Sequence, residues 1–164
     1  MEPMESRVAP DEDYQLWLLL NQVNDGMARA RENEVGQFGV SLIQAAAMFV
    51  IKAIDGPATP TEIARWLFRE QNTVSQLLIR MEKQGLVRRV KSQKRNPENK
   101  STLRVVLTDK GEDIFREQLE GRAVIHRILS RLTPRERRNL KAYLQKLREQ
   151  TVEELVVRPN LPFP

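Results

Sequence analysis

Residues 59–64 read TPTEIA, residues 73–87 read TVSQLLIRMEKQGLV, and residues 105–111 read VVLTDKG. A stretch rich in Lys and Arg separates the last two. In this order the segment supplies a short capped helix, a second amphipathic helix, and two strands joined by a positively charged loop. That order predicts a winged helix-turn-helix from Thr59 to Gly111, and no other part of the chain says as much about function.

The first helix of this segment begins with a capping signal. Thr59 can cap the helix, Pro60 suits the first helical position, and Glu62 can bond back to the cap, so the sequence predicts a capping box. The second helix is predicted from about Asn72 to Gln84, and the glycine at position 85 is placed to end it. Its apolar residues fall at i, i+3, i+4 and i+7 and predict one buried stripe of Val74, Leu77, Leu78 and Met81.

The face opposite this stripe is polar and is the candidate DNA-reading surface. Amide side chains can pair bidentately with adenine in the major groove, while hydroxyl and guanidinium groups bond bases or phosphates. On a helix alone, a polar outer face is also what any soluble protein shows. The assigned base-reading residues are Gln71, Asn72, Thr73 and Gln76, and the assigned backbone contacts are Ser75 and Arg80.

A basic hairpin is predicted directly after the second helix. Residues 86–91 and 102–107 have strand-like composition, and residues 92–101 between them are charged or polar apart from one proline. Residues 86–104 hold seven Lys or Arg against one acid, a net charge of +6, whereas the whole chain carries +5. An ordinary basic surface loop is the alternative, but a charged hairpin after a polar-faced helix is typical of proteins that follow a phosphate backbone. The predicted backbone contacts here are Arg88, Lys91, Lys94, Arg95 and Lys100.

Together these motifs resemble the bacterial MarR family of winged-helix transcription regulators. The matching stretches are SLIQ at 41–44, IA at 63–64, TVS at 73–75, MEKQGLV at 81–87 and LTDKG at 107–111, and the likeness covers most of the chain. The resemblance implies a homodimer that binds double-stranded DNA at an inverted-repeat operator. It also implies release by a small anionic or aromatic ligand, bound in a crevice between the dimer helices and the DNA-binding lobe, although no residue in the sequence identifies that effector.

The chain departs from the family's pattern in three places. The usual Ser-Arg-Ser that opens the recognition helix is Glu70-Gln71-Asn72 here. The turn between the two helices usually holds glycine and an apolar residue, and here Phe68 and Arg69 stand there. The usual Asp-Arg-Arg at the tip of the wing is replaced by a longer stretch, KRNPENK at 94–100. Entry of the wing into a minor groove therefore does not carry over from other members.

Composition agrees with a nucleic-acid partner. A chain of 164 residues is one ordinary domain, and a pI near 9.8 fits a polyanion, although an anionic membrane surface would also fit. The chain has no apolar run of membrane-spanning length, no signal-peptide pattern and no cysteine. We therefore expect a cytoplasmic protein without a membrane partner, associated with the nucleoid of a bacterium or an archaeon.

The chain divides into five parts within one structural domain. We expect a flexible arm over 1–10, an N-terminal dimerisation helix over 11–36 and the winged helix-turn-helix over 37–111. C-terminal dimerisation helices follow over 112–157, and an extended tail over 158–164. The individual predictions are a long helix from Asp11 to about Arg31 and a core helix from Ser41 to Ile54. One helix is predicted from Thr108 through Leu129, and a last helix from a capping box at Thr133 to about Val157.

The terminal helices carry apolar stripes without a second core to cover them. This pattern favours pairing with a second copy of the chain, and dimeric readers match two-fold operators. The alternative is that these helices simply pack on the winged helix. The fold class predicted is therefore mainly α, with a small β-hairpin wing between flanking dimerisation helices.

Other chemistry has little support in the sequence. His126 is the only histidine, so no ordinary zinc site can be built, and neither a Gly-rich phosphate loop nor a nucleophile with a base is present. We therefore expect neither an enzyme nor a cofactor. The rival function is a protein-interaction module whose wing docks on an acidic partner. A second basic cluster fits either a solvated helix start or an accessory phosphate contact, and comprises Arg131, Arg135, Arg137 and Arg138.

Overall fold

Seven helices and one two-stranded antiparallel sheet make up residues 11–91 and 103–155, which are the residues that the computed structural model describes. The predicted fold class is confirmed. A 3₁₀ turn, Gly36–Phe38, lies between the first two helices. The elements are α1 Glu12–Val35, α2 Leu42–Ala53, α3 Pro60–Trp66, α4 Gln71–Lys83, β1 Val87–Lys91, β2 Leu103–Leu107, α5 Asp109–Glu120, α6 Ala123–Leu129 and α7 Pro134–Glu154.

Helix α2 is the centre of the hydrophobic core, as its composition predicts. The predicted capping box is present: the Gln44 backbone N–H donates to Ser41 Oγ at 3.4 Å, and the Ser41 N–H donates to Gln44 Oε1 at 2.9 Å. The apolar face that follows is buried and comprises Ala45, Ala47, Met48, Val50 and Ile51. Since burial of a Met, Val or Ile side chain stabilises by roughly 1.5–3 kcal/mol, this face anchors the lobe that α2, α3, α4 and the hairpin form.

Helices α3 and α4 pack against α2 and the hairpin. All four residues of the predicted stripe on α4 are at most 3% exposed: Val74, Leu77, Leu78 and Met81. Gly85 ends the helix in the left-handed conformation at φ 71°, as predicted. The hairpin closes the lobe through Leu86, Val87, Val105 and Leu107, which are buried against the same core.

The predicted bounds of α1 and of the helix after the hairpin are wrong. Helix α1 extends to Val35, past Arg31, because its last turns pack on the lobe and Val35 is fully buried there. The single helix predicted from Thr108 through Leu129 is broken after Glu120 into α5 and α6. Gly121 stands at the break, and glycine is a poor helix former.

The predicted capping box at Thr59 is only half formed. The Glu62 backbone N–H donates to Thr59 Oγ1 at 3.2 Å, as expected of an N-cap. The Glu62 carboxylate, however, lies 3.1 Å from the Arg65 guanidinium instead of bonding back to the cap. The opposite charge one helical turn away competes successfully for this side chain.

The capping box at Thr133 is complete and opens α7. The backbone N–H and the hydroxyl of Thr133 both donate to Glu136 Oε2 at 2.7 Å. These hydrogen bonds lower the pKa of the Glu136 carboxyl from its ordinary value. The helix ends at Glu154, short of the predicted Val157, and the predicted arm (1–10) and tail (158–164) lie outside the described residues.

The terminal helices expose large apolar side chains. On α1 these are Tyr14, Leu16, Trp17, Leu18, Leu19 and Val23, and on α7 they are Tyr143, Leu144 and Leu147. Among the described residues, no single helix is long and apolar enough to cross a membrane; α1 and α2 pass that test only as a pair bent by 81°.

Candidate nucleic-acid interface

The turn that joins α3 to α4 has an unusual backbone. Phe68 takes a positive φ of 50°, in the left-handed region that costs a non-glycine residue roughly 1–2 kcal/mol. The turn is closed by two backbone bonds, from Phe68 N to Arg65 O at 3.2 Å and from Arg69 N to Ala64 O at 3.0 Å. This is the position where the sequence lacks the expected glycine, and the turn nevertheless forms.

Helix α4 presents the predicted reading surface to solvent. Asn72, Thr73, Gln76 and Arg80 are exposed, and Ser75 is partly exposed. Because the buried stripe holds the other side of α4 against the core, these side chains point away from the lobe. Of the predicted base-reading residues, Asn72 and Gln76 lie one helical turn apart on this outer face.

Gln71 is held by the protein at the start of α4. Its Nε2 donates to Thr61 Oγ1 at 3.1 Å, which links the first turn of α4 to the first turn of α3. Its amide is therefore oriented before any ligand arrives. The N-cap of α4, Glu70, makes no side-chain cap bond, so the N–H groups of the first turn keep their hydrogen-bonding capacity.

The other end of α4 is tied to α2 and α5 by polar contacts. Gln44 Nε2 donates to Gln84 Oε1 at 2.6 Å, and Lys110 Nζ donates to Gln84 O at 2.9 Å. The Thr108 hydroxyl donates to the carbonyl of the neighbouring Gly85 at 2.5 Å. These residues position the reading helix. Sequence reasoning assigned Gln44 and Thr108 only as caps, because nothing in the local pattern pairs positions so far apart.

Helix α5 also approaches the end of α4 closely at Gly111. A Cβ at this position would collide with the Leu86 carbonyl and crowd Leu107 Cβ at 3.3 Å. Only glycine therefore allows α5 to lie this close to the chain that leaves α4. The glycine of the LTDKG motif has a packing reason, and the contact fixes α5 to the reading helix.

The hairpin separates two of the predicted backbone contacts. Its register runs from Val87↔Leu107 to Lys91↔Leu103, and side chains alternate between its two faces. Arg88 and Lys91 are both exposed but lie on opposite faces, so they do not form one surface. Lys94, Arg95 and Lys100 lie outside the described residues.

Two further arginines belong to the hairpin. Arg104 pairs with Val90 in the strand register and so shares the face of Arg88, although it was not among the predicted contacts. Arg104 could have been predicted as a contact, because it is one of the seven Lys or Arg residues of the basic segment 86–104. Arg89 lies 3.7 Å from the Glu82 carboxylate. This ion pair links the hairpin to α4, and the carboxylate offsets the charge of Arg89.

The geometry of this lobe is that of a winged helix-turn-helix protein: two helices joined by a short turn, with a basic hairpin beside them. The model of the MarR family matches residues 38–95. Solved structures of that family are similar over most of the chain, and the two findings together support the MarR family of winged helix-turn-helix transcriptional regulators. A repressor role is typical of these regulators, which are generally not enzymes.

Two solved structures are similar over nearly the whole chain. The ligand-free organohalide sensing RdhR-CbdbA1625 transcriptional regulator has 27% sequence identity and a TM-score of 0.78, over 98% of this chain and 99% of its own. Its 2,4-dichlorophenol bound form gives 26% identity and a TM-score of 0.76 over the same shares of the two chains.

Two other similar structures contain DNA. A mutant of MarR from E. coli complexed with operator DNA has 23% identity and a TM-score of 0.71, over 83% of this chain and 95% of its own. The S. aureus MepR-DNA complex has 20% identity and a TM-score of 0.73, over 86% of this chain and 99% of its own. At these identities the likeness concerns the fold. No curated protein sequence matches the chain.

Proposed function

We propose that the protein is a homodimeric, sequence-specific regulator of transcription that inserts α4 of each subunit into a major groove of double-stranded DNA. The observation that carries this proposal is the two-sided construction of α4. One side is a fully buried stripe, and the other presents the Asn72 and Gln76 amides to solvent. Such amides pair best with adenine edges, so A·T pairs belong at the centre of each half-site.

The remaining contacts divide into base-reading and backbone contacts. Gln71 and Thr73 flank the two amides at the start of α4, the part of a recognition helix that contacts bases in this motif. Phosphates are the partners proposed for the exposed or partly exposed Ser75, Arg80, Arg88 and Lys91. The sequence adds Lys94, Arg95 and Lys100 to this set. Two structurally similar proteins, MarR and MepR, were solved with DNA, which supports the same use of the fold here.

The terminal helices support the homodimer. Trp17 and Tyr143 are 54% and 60% exposed, although side chains of this kind are normally covered in a soluble protein. An open groove of about 310 Å³ along α6 and α7 continues this surface, with Leu129, Leu140 and Leu144 in its lining. A second copy would cover these faces and place two α4 helices on one side of a duplex, about 34 Å apart.

A crevice between α1, α2 and α5 supports release by a small aromatic anion. It has a volume of about 170 Å³, and a cavity of about 150 Å³ is enough to hold one aromatic ring. Phe49 and Phe115 line it together with Arg31 and Arg122, and this mixture of aromatic and cationic residues suits a ring that bears a negative charge. The relative with a solved 2,4-dichlorophenol bound form makes that compound the first one to test.

Selection of bound sequences from a random pool of duplex DNA tests the proposal most broadly. We expect an A·T-centred inverted repeat with half-sites one helical turn apart. Recovery of no enriched sequence, together with binding that does not respond to salt, would contradict DNA reading and leave the protein-interaction module. Enrichment of a single isolated half-site would support reading by α4 but contradict the dimer. The proposal also places the protein in the cytoplasm, with the nucleoid.

A further inference from the structure

The break between α5 and α6 leaves backbone groups of two helix ends without partners inside their own helices. The carbonyl groups of the last turn of α5 and the N–H groups of the first turn of α6 are in this position. The N-cap of α6, Arg122, makes no side-chain cap bond. Arg122 Nε supplies one partner by donating to Leu119 O at 2.9 Å, and the remaining groups need partners from another element.

Two residues of α1 supply these partners. Arg31 Nη2 donates to Gln118 O at 2.8 Å, and Arg31 Nη1 donates to Gly121 O at 3.3 Å. Glu34 Oε1 accepts from the Val124 N–H, in the first turn of α6, at 2.9 Å. The cation thus meets the C-terminal end of α5, and the anion meets the N-terminal end of α6, which is the favourable arrangement for both helix dipoles.

Arg31 and Glu34 also bind each other and are largely withdrawn from water. Arg31 Nη1 lies 2.5 Å from Glu34 Oε2, and the side chains are 12% and 15% exposed. A partly buried pair with further hydrogen bonds is held more firmly than an exposed ion pair. For comparison, the Asp113 and Arg116 side chains form an ion pair of the same spacing on α5 but are 64% and 66% exposed.

A third contact lies on the other side of the break between α5 and α6, which we call the joint. At Gly121 an added Cβ would lie 3.0 Å from Phe38 Cζ, so the aromatic ring packs directly on the backbone of the break. The break is therefore enclosed between the Phe38 ring and the two charged side chains of α1. This enclosure restricts the angle at which α6 leaves α5.

The joint connects the two functional halves of the subunit. Helix α5 is fixed to the end of α4 through Lys110, Thr108 and Gly111, so it belongs with the reading helix. Helix α6 packs against α1 and leads into α7, so it belongs with the exposed apolar faces. Any change of angle at the joint moves α4 relative to the surface that pairs with a second copy.

We propose that Arg31 and Glu34 are positioning residues that fix the angle between α5 and α6 and thereby set the separation between half-sites that the dimer accepts. This inference rests on the proposed function, because it concerns two α4 helices that bind one duplex. Arg31 and Glu34 touch no DNA themselves. Their effect is on the choice between operators that differ only in spacing.

The experiment uses duplexes in which the two selected half-sites are moved together or apart by one or two base pairs, about 3.4 Å each. Affinities of the full chain are measured at one salt concentration for wild type, Arg31→Gln and Glu34→Gln. The wild type is expected to show an optimum, with binding about tenfold weaker at a shift of two base pairs. In both variants the ratio between the best and the shifted spacing should fall by about threefold or more, because a looser joint tolerates several separations.

The matched control is Arg116→Gln, which removes a guanidinium from the exposed pair on α5 and should keep the wild-type spacing profile. Variant profiles parallel to the wild-type profile would overturn the proposal, since a merely structural role weakens binding at every spacing by one factor. If Arg31→Gln does not fold, Arg31→Lys decides. It keeps the charge but replaces the planar fork, whose two nitrogens reach separate oxygens, with a single nitrogen. It should therefore flatten the profile, and an unchanged profile would overturn the proposal.

The wild type separates this inference from the proposed function. A wild type that selects no paired half-sites contradicts the proposed function, and the inference falls with it. A wild type with a clear optimum, beside variants with the same relative profile, contradicts only the role of the joint.

Discussion

Apolar side chains are buried in the winged-helix lobe, whereas many of those on the terminal helices are exposed. In the lobe, Met48, Ile63 and Met81 are fully buried, and the hairpin completes the same core. On α1 and α7, by contrast, Trp17 and Leu147 are 54% and 48% exposed. The core of the lobe is therefore completed within one chain, whereas the apolar faces of the terminal helices are left for the proposed dimer to cover. Reading and assembly should accordingly be separable by substitution.

The largest expected effect lies in the lobe. Leu78→Ala removes a side chain that is 1% exposed, and a cavity of this kind costs about 2–5 kcal/mol in the free energy of unfolding. Urea denaturation followed by circular dichroism measures the loss. The neighbouring and partly exposed Ile79→Ala is the control and should cost much less. Equal losses would mean that the stripe of α4 does not anchor the lobe.

The terminal helices should respond in the opposite way. Trp17→Glu places a charge on an exposed apolar face, so it should weaken the dimer by more than about tenfold while the helical content stays unchanged. Light scattering at micromolar concentration measures the change, with Asn21→Glu as the control that adds the same charge to a polar position of α1. An intact protein that is already monomeric at this concentration would remove the distinction between the two regions.

Substitutions in the basic hairpin should weaken DNA binding without changing the dimer, so they separate the two regions further. Replacement of Lys94, Arg95 and Lys100 by Ala should weaken binding to all duplexes. Each phosphate contact that is lost should reduce the slope of log K against log salt concentration by about 0.9. An unchanged slope would show that these residues do not contact DNA, and a changed oligomeric state would show that they act in assembly.

The smallest effect is expected at the border between the two regions. Partial burial raises the pKa of Glu34, but bonds from the Val124 N–H and the Arg31 guanidinium, with the charges of Arg31 and Arg127, lower it below its ordinary value of 4.5. The ionised carboxylate therefore stabilises the fold fully above pH 4.5, and this contribution is lost as the pH falls through the lowered pKa. The difference in unfolding free energy between wild type and Glu34→Gln should shrink on acidification. A difference that stays constant to about pH 3 would contradict this linkage.

Local patterns predicted the lobe well. The spacing of the α4 stripe, the cap at Ser41 and the glycine at position 85 are each decided by residues within one or two helical turns. The structure confirms all three. The resemblance to a family supplied the function that these patterns alone left open.

The joint was beyond local reasoning. The apolar spacing from Ile114 to Leu129 continues smoothly across Gly121, so the sequence predicts one helix there. The break is stabilised by Arg31 and Glu34, which are 90 residues or so away along the chain and whose contacts are tertiary. The hydrogen bond between Gln44 and Gln84 is also a tertiary contact, so no local sequence pattern predicts it. The positive φ of Phe68 could not be predicted from the sequence either, because a bulky residue does not indicate this conformation as glycine does.

The effect of Gln76→Ala on two duplexes, the selected site and a random sequence, tests most directly whether α4 reads bases. Both affinities are measured at one salt concentration, with Lys83→Ala as the comparison, since loss of a charge should change both by the same factor. The account predicts that Gln76→Ala costs about 1–3 kcal/mol on the selected site, much less on random DNA, and relaxes one base position. Equal losses on the two duplexes would make Gln76 a backbone or folding residue and would contradict the assignment of α4 as the reading helix.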